Sequence, residues 1–477
     1  MKHKIFSLIL AATLLFTAAL PAYATETEGA EAETTESATT NSDGTSGNTT
    51  SEELTLTAES AILMDATTGK ILYEKNSRTK QYPASITKLM TILLALEHGS
   101  LEDEITFSHD AVYSIEPGSA HIAIQEGEIL TLEQVLYGIM LRSANECANA
   151  AGEYVDGTME KFAEHMTARA KELGCENTNF VNANGLFDEN HYTTAYDMAL
   201  IAQELLKNET YRGMMSNTYY VIPATNKQQE ERYLHGQHQM LNENSLYYYE
   251  SAEGGKTGYT VEAQNTLVTY AKQGDTELIA VVLKCNGAQH YVDTKTLFDY
   301  GFANYQTVKA FSAADLTQNV AITETYKNET TTLDTIAAAP AGDVYVTIPK
   351  NASIENITKA VDCPETASVP IAVGDKLGTA VLSLNGEALA TVDLTAQKEV
   401  DATTDEERAA QAAEARNKIL KRIAIGVGVV FGILVIVFCC CRYIGYQRRQ
   451  RRRAIRKAKR QERLRQHDSH HSFRHKR

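Results

Sequence analysis

The chain has 477 residues, 43% of them hydrophobic, so it can bury a large core and by length alone could hold two or three domains. Its formal net charge of -16 averages two unlike parts: residues 25–420 carry roughly 26 basic against 59 acidic side chains, near -33, while the C-terminus is strongly basic. Four of the seven cysteines, Cys147, Cys175, Cys285 and Cys363, are scattered without a CxxC pair or ligand-like spacing, which argues against a disulfide framework and a structural metal; no cofactor is expected.

In chain order, Lys2, His3 and Lys4 precede an apolar run over 5–20, and Ala22-Tyr23-Ala24 supplies a small-x-small cleavage pattern. Residues 1–24 therefore read as a removable export signal. Residues 25–53 are Thr, Glu, Ser, Gly and Asn with almost nothing to bury, a disordered tether. Apolar runs at 61–65 and 70–74, separated by Ala66-Thr67-Thr68-Gly69, predict a hairpin. Residues 89–96 form an apolar stretch with few breakers, and 132–155 and 159–173 carry helical periodicity. Residues 265–270 and 277–283 read as strands around the turn Gly274-Asp275. Strands at both ends with helices between them predict an α+β domain, one antiparallel sheet flanked by helices, over 54–308. Residues 309–400 hold short apolar runs (320–322, 344–348, 369–371 and 379–384) punctuated by Gly, Asn, Asp and Pro, a small all-β domain. Residues 401–422, rich in Ala, Glu and Arg, predict a helical stalk. Residues 423–441 contain no charge and are long enough to cross a bilayer once as a helix. The arginines of 442–477 then predict a cytoplasmic tail against anionic lipid rather than nucleic acid, with the preceding chain outside the cell membrane.

Ser85-Ile86-Thr87-Lys88 follows Pro83-Ala84 and opens an apolar helix. Positions i and i+3 share a helical face, so the Lys88 amine can reach the Ser85 hydroxyl, and Ser–Lys is an established variant of the nucleophile–base pair. As a base Lys88 must be neutral, which burial and a second nearby cation encourage. The pattern alone is weak, because Ser77-Arg78-Thr79-Lys80 matches it in a polar, turn-like stretch. What raises it is order: Ser143-Ala144-Asn145 follows a predicted helix, and Lys256-Thr257-Gly258 leads into a predicted strand. Ser-x-x-Lys, Ser-x-Asn and Lys-Thr-Gly in sequence form the signature set of penicillin-binding proteins and serine β-lactamases.

With those motifs, and with Phe180-Val181-Asn182-Ala183-Asn184-Gly185-Leu186 and His191-Tyr192-Thr193-Thr194-Ala195-Tyr196-Asp197, residues 54–308 resemble the low-molecular-weight penicillin-binding proteins of the D-alanyl-D-alanine carboxypeptidase type, serine peptidase family S11. The all-β segment resembles that family's C-terminal domain. The resemblance implies a penicillin-binding/serine β-lactamase-like catalytic fold that trims the terminal D-alanine of peptidoglycan stem pentapeptides through an acyl-enzyme on Ser85, and that is acylated by β-lactams. It implies that Lys88 is the base and Ser143 a proton relay, that Asn145 holds the substrate amide, and that the Ser85 and Tyr259 backbone N–H groups stabilise the oxyanion. Lys256 and Thr257, with Gly258 beside them, are implied to bind the terminal carboxylate. Three departures stand out: His290 occupies the position where the family usually has a carboxylate-supporting arginine, Gln264 replaces a usual glycine, and the chain crosses the membrane where familiar members lay an amphipathic helix on it. Histidine at 290 predicts a weaker, pH-dependent grip on the carboxylate. The competing readings are a D,D-endopeptidase or transpeptidase, a β-lactamase using Glu176 or Glu189 to activate water, and a non-catalytic wall-binding scaffold.

Overall fold

The computed structural model describes residues 54–472, so the expected export signal and tether lie outside the described residues. Strands β1 (Ser60–Asp65) and β2 (Ile71–Lys75) open the first domain. Helices α1 (Lys88–His98) and α2 (His109–Tyr113) are followed by α3 (Leu132–Arg142), α4 (Asn145–Asp156), α5 (Met159–Glu172), α6 (Ala195–Leu205) and α7 (Glu209–Met215). Two short antiparallel pairs accompany them: β3 (Glu104–Thr106) with β4 (Ile129–Thr131), which flank α2, and the hairpin of β5 (Tyr219–Ile222) with β6 (Arg232–His235), which follows α7. Then come β7 (Ala252–Thr260), β8 (Gln264–Gln273), β9 (Thr276–Cys285) and α8 (Gln289–Asn304).

The main sheet has the order β2-β1-β9-β8-β7, antiparallel throughout. Chain-distant β1 and β9 become neighbours because both are apolar enough to be buried on two faces. Alternation sorts their side chains: Ile62, Met64, Ile279 and Val281 join the core under the helical lobe, whereas Ala61, Leu63, Ala280 and Val282 join the core under α8. That second core is closed by Leu297 and Phe298 of α8, both fully buried, so Phe298→Ala costs about 3–5 kcal/mol.

The helical stretch expected over 132–155 is two helices. Thr131 caps α3 with a reciprocal capping box to Gln134, and Ser143 ends it in the left-handed region at φ 57° before α4 begins. The turn matters for function because it lifts Ser143 off the helix surface.

The second domain contains β10 (Tyr305–Phe311), α9 (Ala313–Leu316), β11 (Gln318–Tyr326), β12 (Glu329–Ala339), β13 (Val344–Pro349), β14 (Ile357–Asp362), β15 (Thr366–Ser368), β16 (Lys376–Leu384) and β17 (Glu387–Ala396). A six-stranded sheet, β14-β16-β17-β12-β11-β15, and the pair β10-β13 enclose a core that includes Val320, Ile322, Val346, Ile348, Leu382 and Leu394. The run at 369–371 is not a strand: Pro370 has no N–H to give a ladder, and Ile371 makes an isolated bridge to Val400. Helix α10 (Asp405–Ser472) is continuous for 68 residues, so the expected stalk, apolar segment and basic segment share one rod about 100 Å long. Among the described residues it is the one helix long and apolar enough to cross a membrane. Arg408 pairs with Glu324 (2.7 Å), tying the start of the rod to β11.

Candidate active site

Ser85 lies in a 3-10 turn, Ala84–Thr87, that feeds α1. Three elements clamp this turn. Thr266 of β8 donates to the Pro83 carbonyl (2.8 Å), and a Cβ on Gly258 of β7 would stand 2.9 Å from the Ser85 nitrogen. Gly258 is thus glycine because the strand backbone touches the turn backbone. From the other side, Gly185 (φ 84°) packs so closely that its Cβ would lie 1.9 Å from the Ala84 carbonyl oxygen. Thr91 donates to the Ala183 carbonyl (2.6 Å), and Thr87 bonds the buried His191 ring (2.8 Å). Ala84 itself is held at φ 50°, a cost these contacts must offset.

Lys88 is fully buried, and its Nζ lies 2.9 Å from Ser85 Oγ, 2.7 Å from Asn145 Oδ1, and within hydrogen-bond reach of the Asn184 carbonyl. All three partners can accept, as an ammonium with three N–H donors requires; a neutral amine fits them as well, two protons going to the Asn145 and Asn184 oxygens and its lone pair to the Ser85 hydroxyl, which can donate. Burial, then the charge of Lys256, push Lys88 well below the ordinary lysine range, while Glu146 opposes them. Burial in turn raises the pKa of Glu146 above the ordinary carboxylate range.

Ser85, Ser143, Thr257, Gly258, Tyr259 and His290 line one cavity of about 290 Å³, together with Ala120, Gln237, Asn265 and Tyr291. Lys88, Asn145 and Lys256 sit behind its wall, each at most 3% exposed. All nine residues expected from the sequence therefore gather around one mouth. The Ser143 hydroxyl is buried without a hydrogen-bond partner among the described residues. Asn145 gives its side-chain oxygen to Lys88 and its backbone N–H to Ala120, which leaves its amide N–H2 to donate elsewhere. Lys256 bonds the carbonyl of its neighbour Thr257 (2.8 Å), and burial lowers its pKa to about 7. His290 donates Nδ1–H to the Gly287 carbonyl (2.8 Å), and burial lowers its pKa, so the ring is neutral at pH 7. Gln264 takes φ 54°, a conformation suited to glycine, at the β7–β8 turn.

Two participants were not singled out from the sequence. Asn184 acts through a backbone carbonyl, which carries no side-chain signature, although the Asn184-Gly185-Leu186 run marks its loop. His238 packs behind Gly255, bonds Thr269 through Nε2 (3.0 Å) and has a buried Nδ1 without a partner among the described residues. Burial first, then the Lys256 charge, push it down to about 3, so it is neutral and adds no cation. Among the described residues no group of three or more His, Cys, Asp and Glu side chains could hold a metal ion.

A buried lysine facing a clamped serine, with a Lys-Thr-Gly strand along one edge, defines a serine acyl-transfer enzyme of the penicillin-binding type. The peptidase S11 family, described as D-alanyl-D-alanine carboxypeptidase, matches residues 47–287, and the penicillin-binding protein 5 C-terminal domain matches 305–402. The chain is 33% identical over 359 residues to D-alanyl-D-alanine carboxypeptidase DacF of Bacillus subtilis (strain 168), covering 73% of this chain and 87% of that one. It is 30% identical to DacC of Escherichia coli (strain K12), over 71% and 83% of the two chains. The crystal structure of penicillin binding protein 5 from Haemophilus influenzae superposes with a TM-score of 0.61 at 26% identity, covering 73% of this chain and 99% of that one. The chain belongs to the D-alanyl-D-alanine carboxypeptidase family, peptidase S11, and is a serine carboxypeptidase.

Proposed function

We propose that Ser85 attacks the carbonyl between the two terminal D-alanines of a peptidoglycan stem pentapeptide, with Lys88 accepting the serine proton. The observation that carries this reading is the 2.9 Å approach of a buried amine whose two other partners are both acceptors. Once Lys88 is neutral its lone pair faces the hydroxyl before substrate arrives, so little reorganisation precedes attack. The partnerless Ser143 hydroxyl suits a relay that passes this proton to the leaving amine. Asn145 donates its free amide N–H2 to the substrate carbonyl. The N–H groups of Ser85 and Tyr259 receive the oxyanion, and the contact of Gly258 with the Ser85 nitrogen supports that pairing. Thr257 and His290, with Lys256 behind them, hold the terminal carboxylate, and water then releases the acyl group. β-Lactams acylate the same serine.

The apolar stretch 423–441 of α10 crosses the membrane once, with the arginine-rich end on the cytoplasmic side against anionic lipid and both folded domains outside. The test is mass spectrometry of a wall pentapeptide incubated with the enzyme. Loss of one alanine, absent in Ser85→Ala along with fluorescent-penicillin labelling, is the expected result. Cross-linked product, or no reaction by a folded wild type, refutes the assignment.

A further inference from the structure

The β5–β6 hairpin presents a row of aromatic rings that no packing requirement explains. Its register pairs Tyr219 with His235 and Val221 with Tyr233, so strand alternation puts these four side chains on one face. Tyr219 and Tyr233 are 47% and 59% exposed, and His235 is exposed as well. Their rings form a shelf: Tyr219 lies 6.5 Å from Tyr233 at 25° between planes, and 4.9 Å from His235 at 42°. The opposite face already anchors the hairpin. Ile222 and Leu234 are buried, and Tyr220 stacks on Tyr137 at 3.9 Å and donates to Glu133.

The shelf is also rigid and continuous with the catalytic cavity. Arg232 makes a two-pronged pair with Glu128 (2.7 and 3.0 Å), and Arg142, next to Ser143, donates to the His235 carbonyl (3.4 Å). Beyond His235 the chain passes through Gly236 to Gln237, a wall residue of the cavity. Tyr233 is four residues from Gln237, hence at most about 14 Å away, while an extended pentapeptide spans about 17 Å. The stem peptide is joined at its other end to a sugar strand. A neutral pyranose suits this surface, because its C–H faces pack on the electron-rich faces of aromatic rings. Its hydroxyls find the Tyr233–Glu231 hydrogen bond (2.7 Å) and the His235 ring at the edges.

We propose that the exposed face of the β5–β6 hairpin is a glycan-binding platform that holds the sugar strand bearing the stem peptide; the inference rests on the peptidase reading above. The test uses full-length enzyme in detergent and the double variant Y219T/Y233T, in which β-branched residues preserve strand propensity. Glycan chains stripped of peptide are assayed for binding by saturation-transfer NMR, and kcat/KM is compared for free pentapeptide and for the same peptide on a disaccharide. Wild type is expected to show transfer to the sugar and about a tenfold preference for the glycan-linked substrate. The double variant is expected to lose both, with free-pentapeptide turnover and penicillin acylation unchanged, and Y219F/Y233F to retain both. Equal kcat/KM for the two substrates with no saturation transfer in wild type overturns the proposal. So does a double variant that keeps glycan binding, or one that instead converts a dimer to a monomer, which would make the shelf an interface between copies. If free pentapeptide is not cleaved at all, the peptidase reading fails, and the glycan-binding arm still decides the platform.

Discussion

Asn145→Asp is nearly isosteric and tests whether the neutrality of Lys88 drives acylation. The side-chain oxygen already lies 2.7 Å from Nζ, so a full negative charge there interacts with an ammonium by about 6 kcal/mol at an effective dielectric of about 20. Burying the new carboxylate offsets much of this. If about a third survives, the free amine becomes about 2 kcal/mol harder to reach, and the fraction of competent base at neutral pH falls by up to about 30-fold. Because Asn145 is also proposed to donate to substrate, Asn145→Ala serves as the control: it removes that side chain without adding charge. Acylation by a fluorescent penicillin, followed by stopped flow from pH 6 to 10, separates the two. The Asp variant should acylate up to about 30-fold more slowly at pH 7 and recover as pH rises, whereas the Ala variant should be slower by a factor that does not depend on pH. An Asp variant whose pH profile overlays that of the Ala variant would show that Lys88 does not act as a neutral base.

His290→Arg supplies a permanent cation at the cavity wall and should lower KM for D-Ala-terminated peptide about fivefold, most clearly above pH 7; an unchanged KM refutes a carboxylate-binding role. With Lys256 titrating near 7, its ammonium is present below that pH and lost above it, so KM should rise as pH rises through 7 for the free-acid peptide and stay flat for its C-terminal amide. Gln264→Gly relieves a left-handed backbone and should stabilise the fold by about 0.5–1 kcal/mol, read as a higher denaturation midpoint. Gly185→Ala drives a methyl into the Ala84 carbonyl and should cost more than about 3 kcal/mol and abolish penicillin labelling.

The parts of the molecule legible in the sequence are those set by local spacing. The 61–65 and 70–74 runs, the 159–173 periodicity and the paired runs at 265–270 and 277–283 each became the expected element, because alternation and the 3.6-residue period report burial directly. The break at Ser143 is legible only from the motif, which places Ser143-Ala144-Asn145 after a helix; the apolar periodicity runs through it, and serine carries no preference for the left-handed region. Strands β12 and β14 were missed because Glu329–Ala339 and Ile357–Asp362 are largely polar on their exposed face. In the site, Ser85 with Lys88 and Lys256 with Thr257 stood out as short motifs. The Asn184 carbonyl and His238 did not, because each acts through a contact about 30 or more residues away in the chain. Helix α10 was divided by composition into three pieces, yet Ala, Glu, Leu, Arg and Lys are all good helix formers and nothing in 405–472 breaks the ladder.

Ser77-Arg78-Thr79-Lys80, eight residues before the Ser85-Ile86-Thr87-Lys88 tetrad and identical to it in pattern, is an internal control on how much the motif contributes. Ser77 donates to the Glu74 carboxylate (2.6 Å), so its proton is committed to an acceptor that is not an amine. Lys80 is exposed, with its Nζ 3.9 Å from the centre of the Tyr192 ring, an arrangement that favours a cation. Both tetrads sit beside the same isolated bridge between Gln81 and Thr193, so neighbourhood in the fold does not separate them. What does is the clamp at residues 84–88: a glycine strand, a glycine loop and two threonine hydrogen bonds close the turn tightly enough to exclude water from one amine while leaving one hydroxyl at the cavity wall. Chemistry at Ser85 therefore depends on Gly185 and Gly258 as directly as on Lys88. Opening either contact would hydrate the amine and make it the ordinary surface cation that Lys80 resembles.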